Sequence, residues 1–350
     1  MRIHVLQLQA ADRLISDTFN SVGLNVLSAG TFIEPADIQK LILHDIEYVD
    51  ISPRGATHTF EIESAIILNQ NQLEQEMTFA DAITGIKDLF RSADLEGVIR
   101  QEIVEASFNP LIHSFQQQKD VVSLLLSLNS KDDYTYQHSV QVGMLSYYIA
   151  KWLHKSEEEA LLIGKAGYLH DIGKCRIDNT ILKKPGRLTE SEYNEIKKHT
   201  TYGFEIIQQS FHEECLSLTA LQHHERLDGK GYPHGIKGPD IHPYAKIVAV
   251  ADIYSAMISN RVYQEKKDLL FVLKELHRMS FGELDPRATQ VFIQHMIPNF
   301  IGKKVVLSDG RKGIIVMTNP SDYFKPLVQI GEDFINLSEE AHLEIELIAM

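Results

Sequence analysis

The chain has 350 residues, 44% hydrophobic and 23% charged, with a formal net charge of −14. This content supports a packed core rather than disorder, at a length typical of about two domains. The acidity argues against a protein that wraps a nucleic-acid polymer, although a metal and a few local cations would still let it hold a small anion. The two cysteines, Cys175 and Cys215, have no C-x-x-C spacing and imply neither a disulfide framework nor a thiolate zinc site. No apolar run approaches the ~20 residues of a spanning helix. Met1 to Ala10 reads as neither signal peptide nor anchor. The expectation is therefore no membrane insertion and a cytoplasmic location.

In chain order, residues 1–75 read as a small α+β module. Leu24 to Leu27 is a short apolar run closed by Ser28-Ala29-Gly30, Pro35 to Leu43 a short helix with proline in its first turn, and Ile46 to Ile51 another strand. Residues 76–300 change to helical periodicity, carried by Ala80, Ile83, Ile86 and Leu89, by Val121, Leu124 and Leu125, and by Val142, Leu145, Ile149 and Leu153. Breaks fall at Lys184-Pro185-Gly186 and across Asp228 to Pro243. Residues 301–350 revert to strands, with Lys304–Leu307 and Gly313–Met317 flanking the turn Ser308 to Arg311, then Leu327–Ile330 and Leu343–Leu347. The expected fold class is mainly α: a helical bundle between a small α+β N-terminal module and a small β C-terminal module.

The bundle carries polar residues where a plain core would exclude them. His170-Asp171 ends an apolar segment, and His223-His224-Glu225 opens the Gly-rich loop. His138 begins the stripe of Val142, Leu145 and Ile149, and Asp252 lies on a stripe of small residues with Ala245, Ala249, Ala256 and Ser259. A lone carboxylate there wants a cation. The blocks are 32, 28, 24 and 28 residues apart (His138 to His170, Asp171 to His199, His199 to His223, His224 to Asp252), each room for one helix out and another back. Imidazoles with carboxylates and no thiolate suit Fe or Mn, and a carboxylate such as Asp171 can bridge two such ions, which activate a hydroxide for in-line displacement at phosphorus. A lone histidine is usually a core or surface residue, and the remaining histidines are read that way.

At these residues the chain resembles the HD-GYP family, a branch of the HD phosphohydrolases, from about Lys131 to Met296. The resemblance rests on His138, on His170-Asp171-Ile172-Gly173-Lys174, and on Leu182 to Thr189. It continues through His199, His223-His224-Glu225-Arg226-Leu227-Asp228-Gly229-Lys230-Gly231-Tyr232-Pro233 and Ala249-Val250-Ala251-Asp252. It implies hydrolysis of cyclic di-GMP to pGpG, and onward to GMP, by a two-metal-activated hydroxide. His138, His170, Asp171, His199, His223, His224 and Asp252 are then the metal ligands, with Asp171 the bridge and a catalytic residue. Lys174, four residues after His170 and on the same helical face, becomes a catalytic and phosphate-contacting cation, and Tyr232 and Arg261 substrate contacts. The resemblance also allows a homodimer and contact with other cyclic-di-GMP signalling proteins, though no heptad seam marks a dimer.

Three positions depart from the family pattern. Tyr134 stands where members with three metals carry Glu, and a phenol of pKa ~10 is a poorer ligand, so two divalent ions are expected. Ser255 replaces the second Asp of Asp-x-x-Asp, and Gln264 replaces a cation after Arg261, which loosens the substrate assignment. Rival readings are an HD hydrolase of another cyclic dinucleotide or nucleotide, and a regulator that binds cyclic dinucleotide without turnover. The N-terminal stretch resembles the small module found ahead of some HD-GYP domains. Asp50 echoes a phosphoacceptor strand, but no acidic pair follows Ile3 to Gln9, so a receiver domain is rejected.

Overall fold

A computed structural model of the chain describes residues 2–10, 12–19, 25–44, 46–52, 59–115, 134–258, 269–319 and 321–349. It divides into two compact units, one of Met1–Asn71 with Phe300–Met350 and the other of Gln72–Asn299. The expected stripe of Val121, Leu124 and Leu125 lies outside the described residues, as do Ser259, Arg261 and Gln264.

In the first unit, strand β1 (Arg2–His4) pairs antiparallel with β4 (Tyr48–Asp50), and β2 (Thr18–Phe19) with β3 (Asn25–Leu27). Helix α1 spans Pro35–Leu43, with proline in its first turn and a reciprocal Glu34/Asp37 capping box. The apolar side chains Ile3, Val5, Leu14, Val26, Leu41, Val49 and Ile51 close over a small common core. Asp50 sits on an antiparallel ribbon, unlike the mostly parallel sheet of a receiver.

The C-terminal stretch forms a five-stranded antiparallel sheet of β5 (Lys304–Leu307), β6 (Lys312–Met317), β7 (Leu327–Ile330), β8 (Asp333–Asn336) and β9 (Ile345–Ala349), in the order β8-β7-β6-β5-β9. β8 was not expected: Asp-Phe-Ile-Asn carries two residues that strands disfavour, and pairing with β7 overrides that preference. The last strand begins two residues later than its apolar run, because the register with β5 sets its start.

The second unit is helical. Helix α2 (Thr59–Glu96), which belongs to this unit from Gln72 onward, buries Phe79, Ala82, Ile86, Leu89 and Ala93, while Ala80 is exposed and Ile83 only half-buried. Ile86 and Leu89 are buried as expected, whereas the two earlier positions are each displaced by one residue, to Phe79 and Ala82. Then follow α3 (Gln101–Phe115), α4 (Tyr134–Trp152), α5 (Glu157–Leu169), a 3₁₀ turn (Ile172–Arg176) and α6 (Asn179–Leu182). α7 (Glu190–Lys197), α8 (His199–Ser210), α9 (Glu214–Gln222), α10 (Pro243–Ile258), α11 (Leu269–Met279) and α12 (Pro286–Met296) complete it. α4 is buried on every side from Gln137 to Ala150, as befits a helix enclosed by others, and packs on α5 and α10.

Two features place the end of α5. The Tyr168 hydroxyl donates to Ala82 O at 2.6 Å and lies 3.2 Å from Ser107 Oγ, tying α5 to α2 and α3 two residues before His170. Gly173 then lets the 3₁₀ turn touch α8. A Cβ there would stand 2.0 Å from His199 O and 2.4 Å from Gly203 N, both backbone atoms.

Candidate metal centre

Each candidate ligand comes from a helix end or a helix that faces the same interior. His138 lies in the first turns of α4, His170 caps the C-terminus of α5, and Asp171 opens the 3₁₀ turn. His199 starts α8, His223 and His224 follow the end of α9, and Asp252 lies in α10. All seven side chains meet. Asp171, His199, His223 and His224 form one group of donor atoms within 4.8 Å of one another, and His138, His170 and Asp252 form a second. All are buried except His224, whose side chain is 19% exposed and gives the cluster its open side.

The hydrogen bonds fix how these imidazoles point. Nδ1 of His170 lies 2.7 Å from Gly167 O, that of His199 2.7 Å from Ile196 O, and that of His223 2.9 Å from Ala220 O. A carbonyl only accepts, so each Nδ1 carries the proton and each neutral ring presents an Nε2 lone pair. Those lone pairs face carboxylate oxygens. Asp171 Oδ1 is 3.4 Å from His199 Nε2 and 3.9 Å from His223 Nε2, whereas its Oδ2 is 3.3 Å from His170 Nε2 and 3.9 Å from His138 Nε2. Asp252 is divided the same way, with Oδ1 in a 3.0 Å hydrogen bond with His138 Nε2 and Oδ2 3.7 Å from His224 Nδ1, so the unrelieved contacts are those of the three carbonyl-anchored rings.

Lone pair against lone pair is repulsive unless a cation lies between, and two of these atoms, His170 Nε2 and Asp171 Oδ1, are buried without a hydrogen-bond partner. The protonation states agree. Burial would raise Asp171, but the charges of His170 and Lys174 outweigh it and hold the carboxyl well below its ordinary range. Burial pushes His199 down to about 4 and holds His223 and His224 well below normal. His170 is the exception: burial lowers it, but Asp171 and Asp252 together outweigh burial and raise the ring, so it holds a proton more readily than the others unless a cation takes that place. Ionised carboxylates with neutral imidazoles are what a metal requires, and the buried cluster fits divalent metal binding.

Lys174 and Tyr232 are also at the cluster, the first by a different route from the one expected. The backbone after Asp171 is a 3₁₀ turn, so Lys174 returns to the site three residues after Asp171 rather than four after His170, and its Nζ donates to Asp171 Oδ2. Tyr232 stacks on the His224 ring with centroids 4.6 Å apart, and burial raises its hydroxyl above the ordinary phenol value. Tyr134 stacks near-parallel to His138 at 5.8 Å. Arg261, the other expected substrate contact, lies outside the described residues.

Three residues outside the expected ligand set shape the centre. Glu225 is 3% exposed and accepts from the backbone N–H groups of His234, Gly235 and Ile236 at 2.7–3.1 Å. It folds the Gly-rich loop back so that Tyr232 N reaches His224 O at 3.2 Å. Gly231 makes that fold possible, since a Cβ would lie 2.4 Å from both Glu225 Cα and His224 O. Ser255, one turn after Asp252, lies with its Oγ 3.0 Å from His138 Nδ1. It touches a candidate ligand, so its departure from the family pattern bears on the metal side of the site and not only on the substrate.

Residues 122–288 match the family model for the HD domain. The chain is 28% identical over 264 residues to a cyclic di-GMP phosphodiesterase of Pseudomonas aeruginosa, covering 74% of this chain and 64% of that one. It is 40% identical over 179 residues to a cyclic di-GMP phosphodiesterase of Thermotoga maritima, covering 50% and 48%. With a 3'3'-cGAMP-specific phosphodiesterase of Vibrio cholerae the identity is 30% over 247 residues, covering 68% and 57%. The chain therefore spans about half to just under two thirds of these relatives' own lengths.

Proposed function

Because residues 122–288 are an HD domain and carry the His-Asp and Gly-Tyr-Pro signatures of the HD-GYP branch, we propose that this protein hydrolyses cyclic di-GMP to linear pGpG, and in a second cleavage to GMP, with two divalent ions. The observation that carries the reading is the convergence of five imidazoles and two carboxylates into two donor groups that share Asp171 and Asp252 between them. A seven-residue ligand set argues against a pure binding module. Two ions rather than three agree with the division into two groups and with Tyr134 in place of a carboxylate. Fe or Mn agrees with a donor set free of thiolate.

The residues that would hold the ions are His199, His223 and His224 for one, His138 and His170 for the other, and Asp171 with Asp252 reaching both. Divalent ions so held supply charge that lowers the pKa of water and clamps phosphoryl oxygens for in-line displacement. The chain's own part is positional. Two carboxylates do not neutralise two divalent ions, so the site stays locally positive within a molecule of net charge −14 and draws an anionic phosphodiester. Lys174, its Nζ on Asp171 with a side chain 24% exposed, is placed to transfer a hydrogen bond to a phosphate oxygen. The Tyr232 ring, backed by His224, offers a face for a nucleobase. The Vibrio cholerae relative gives a second substrate reading, 3'3'-cGAMP.

The test is product analysis with anaerobically loaded Mn(II) or Fe(II) protein, offering cyclic di-GMP, 3'3'-cGAMP and simple nucleotides in parallel. Linear dinucleotide from cyclic di-GMP at the highest kcat/KM is the expected result, and Asp171→Ala should abolish it. Tight cyclic-dinucleotide binding with no turnover by the metal-loaded protein would make it a regulator instead, and an active Asp171→Ala variant would refute the mechanism.

A further inference from the structure

His138 is oriented differently from the other ligands. The three rings of His170, His199 and His223 are each fixed by a backbone carbonyl three residues earlier. The Nδ1 of His138 instead meets a side chain from another helix, Ser255 Oγ of α10 at 3.0 Å, and that hydroxyl donates to Gln141 Oε1 at 3.0 Å. Ser255 is 1% exposed and Gln141 4%, so water does not compete.

A serine hydroxyl has one proton. Given to Gln141, it leaves Ser255 Oγ to accept, which puts the His138 proton on Nδ1; Nε2, at hydrogen-bond distance (3.0 Å) from Asp252 Oδ1 and 3.9 Å from Asp171 Oδ2, can then exchange that contact for a cation shared with the carboxylates. Turning the Gln141 amide over would reverse the chain. Gln141 would donate to Ser255, Ser255 to Nδ1, and an Nε2–H would point at Asp252, which is the tautomer that repels a cation. The pair of Ser255 and Gln141 therefore decides whether His138 is a ligand.

The consequence falls on the poorer half of the centre. With Asp171 and Asp252 reaching both sides, the His138 side has two imidazoles, His138 and His170, whereas the other has three. Losing one imidazole of two costs more of that ion's coordination. We propose that Ser255, oriented by Gln141, is a positioning residue that keeps His138 in its Nε2-ligating tautomer and so retains the ion on the His138–His170–Asp252 side. This rests on the two-ion reading above and extends it to a residue outside the ligand set.

The test reads ion retention without substrate. Full-length wild type, Ser255→Ala and Ser255→Thr are loaded anaerobically with Mn(II) and dialysed against a graded series of a weak chelator. Metal per chain is then measured, with melting of the metal-free proteins as a packing control. Wild type and Ser255→Thr should retain two ions, whereas Ser255→Ala should retain one and bind the second about 10–100-fold more weakly. Ser255→Ala holding both ions at wild-type affinity overturns the proposal. So does equal ion loss in the Ala and Thr variants with unchanged metal-free melting, since the hydroxyl would then be irrelevant. If Ser255→Thr melts lower because its methyl does not fit, the Ala result with an unchanged melt decides alone. A wild type that holds two ions but cleaves no cyclic dinucleotide overturns the functional reading and leaves this one intact, whereas a wild type that binds one ion overturns both.

Discussion

Lys174 serves two masters in this site, and that shapes what its removal should do. Its Nζ is bonded to Asp171 Oδ2, and its charge helps hold that carboxyl ionised, yet its side chain remains 24% exposed, as the proposed phosphate contact requires. Lys174→Met should leave the ions in place, because five imidazoles and both carboxylates remain, while lowering kcat/KM about 10²–10³-fold through the lost charge on the phosphoryl group. Steady-state kinetics beside metal analysis would separate the two roles, and loss of an ion in this variant would make Lys174 part of the metal support instead. The seven side chains that meet in the cluster were legible in the sequence because His and Asp are chemically unmistakable inside an apolar helix pattern. Their partners were not. Ser255 and His138 are 117 residues apart, and nothing in a serine on a helix says whose imidazole it will meet. Glu225 was visible as part of a motif, but its task, holding three loop N–H groups, is a property of backbone that exists only once the loop is folded.

At the scale of elements, the site depends on two close backbone approaches. Between the 3₁₀ turn and α8 the approach passes through Gly173, where a methyl would press on backbone that has no rotamer to yield. Gly173→Ala should cost about 1–3 kcal/mol as an overpacking change and separate Asp171 from His199, so that melting temperature and activity fall together. The second approach, between the end of α9 and the Gly-rich loop, is held by the Glu225 carboxylate. Glu225→Gln keeps the volume but gives up charge-assisted hydrogen bonds worth roughly 1.5–3 kcal/mol each, and should release Tyr232 from His224. Activity should then fall more than the melting temperature does. A Gln variant with wild-type kcat/KM would show that the loop finds its place without the carboxylate. Periodicity read the helices well where one face alone is buried. It placed Ile86 and Leu89 of α2 correctly but displaced the two preceding positions by one residue, because a buried Phe79 outweighs an alanine. It could not foresee the 3₁₀ turn after Asp171, because that geometry comes from docking against α8 rather than from local preference.

On the scale of the whole molecule, the helical unit encloses a cluster that is at odds with itself until a cation arrives. Five imidazoles and two carboxylates point lone pairs at a shared interior, and His170 Nε2 and Asp171 Oδ1 have no protein partner there. Each such buried polar atom left unsatisfied costs about 1–3 kcal/mol. Ions that bind the folded state relieve this and add stability by mass action, about 2.7 kcal/mol for each site at a free concentration of 100 Kd. For a unit of about 150–250 residues, each such ion should raise the melting temperature by several degrees, roughly 2–4 °C per kcal/mol. The effect should be confined to the unit of Gln72–Asn299, since among the described residues both candidate donor groups fall within it. Calorimetry of the full chain with and without a strong chelator should therefore show one transition moving down on metal removal while the other stays in place. Readdition of Mn(II) should restore it in a concentration-dependent way. Equal movement of both transitions would mean that the ions act on the chain generally, through its net charge of −14. No movement at all would mean that the seven side chains hold one another without a cation, and that the centre is not a metal site.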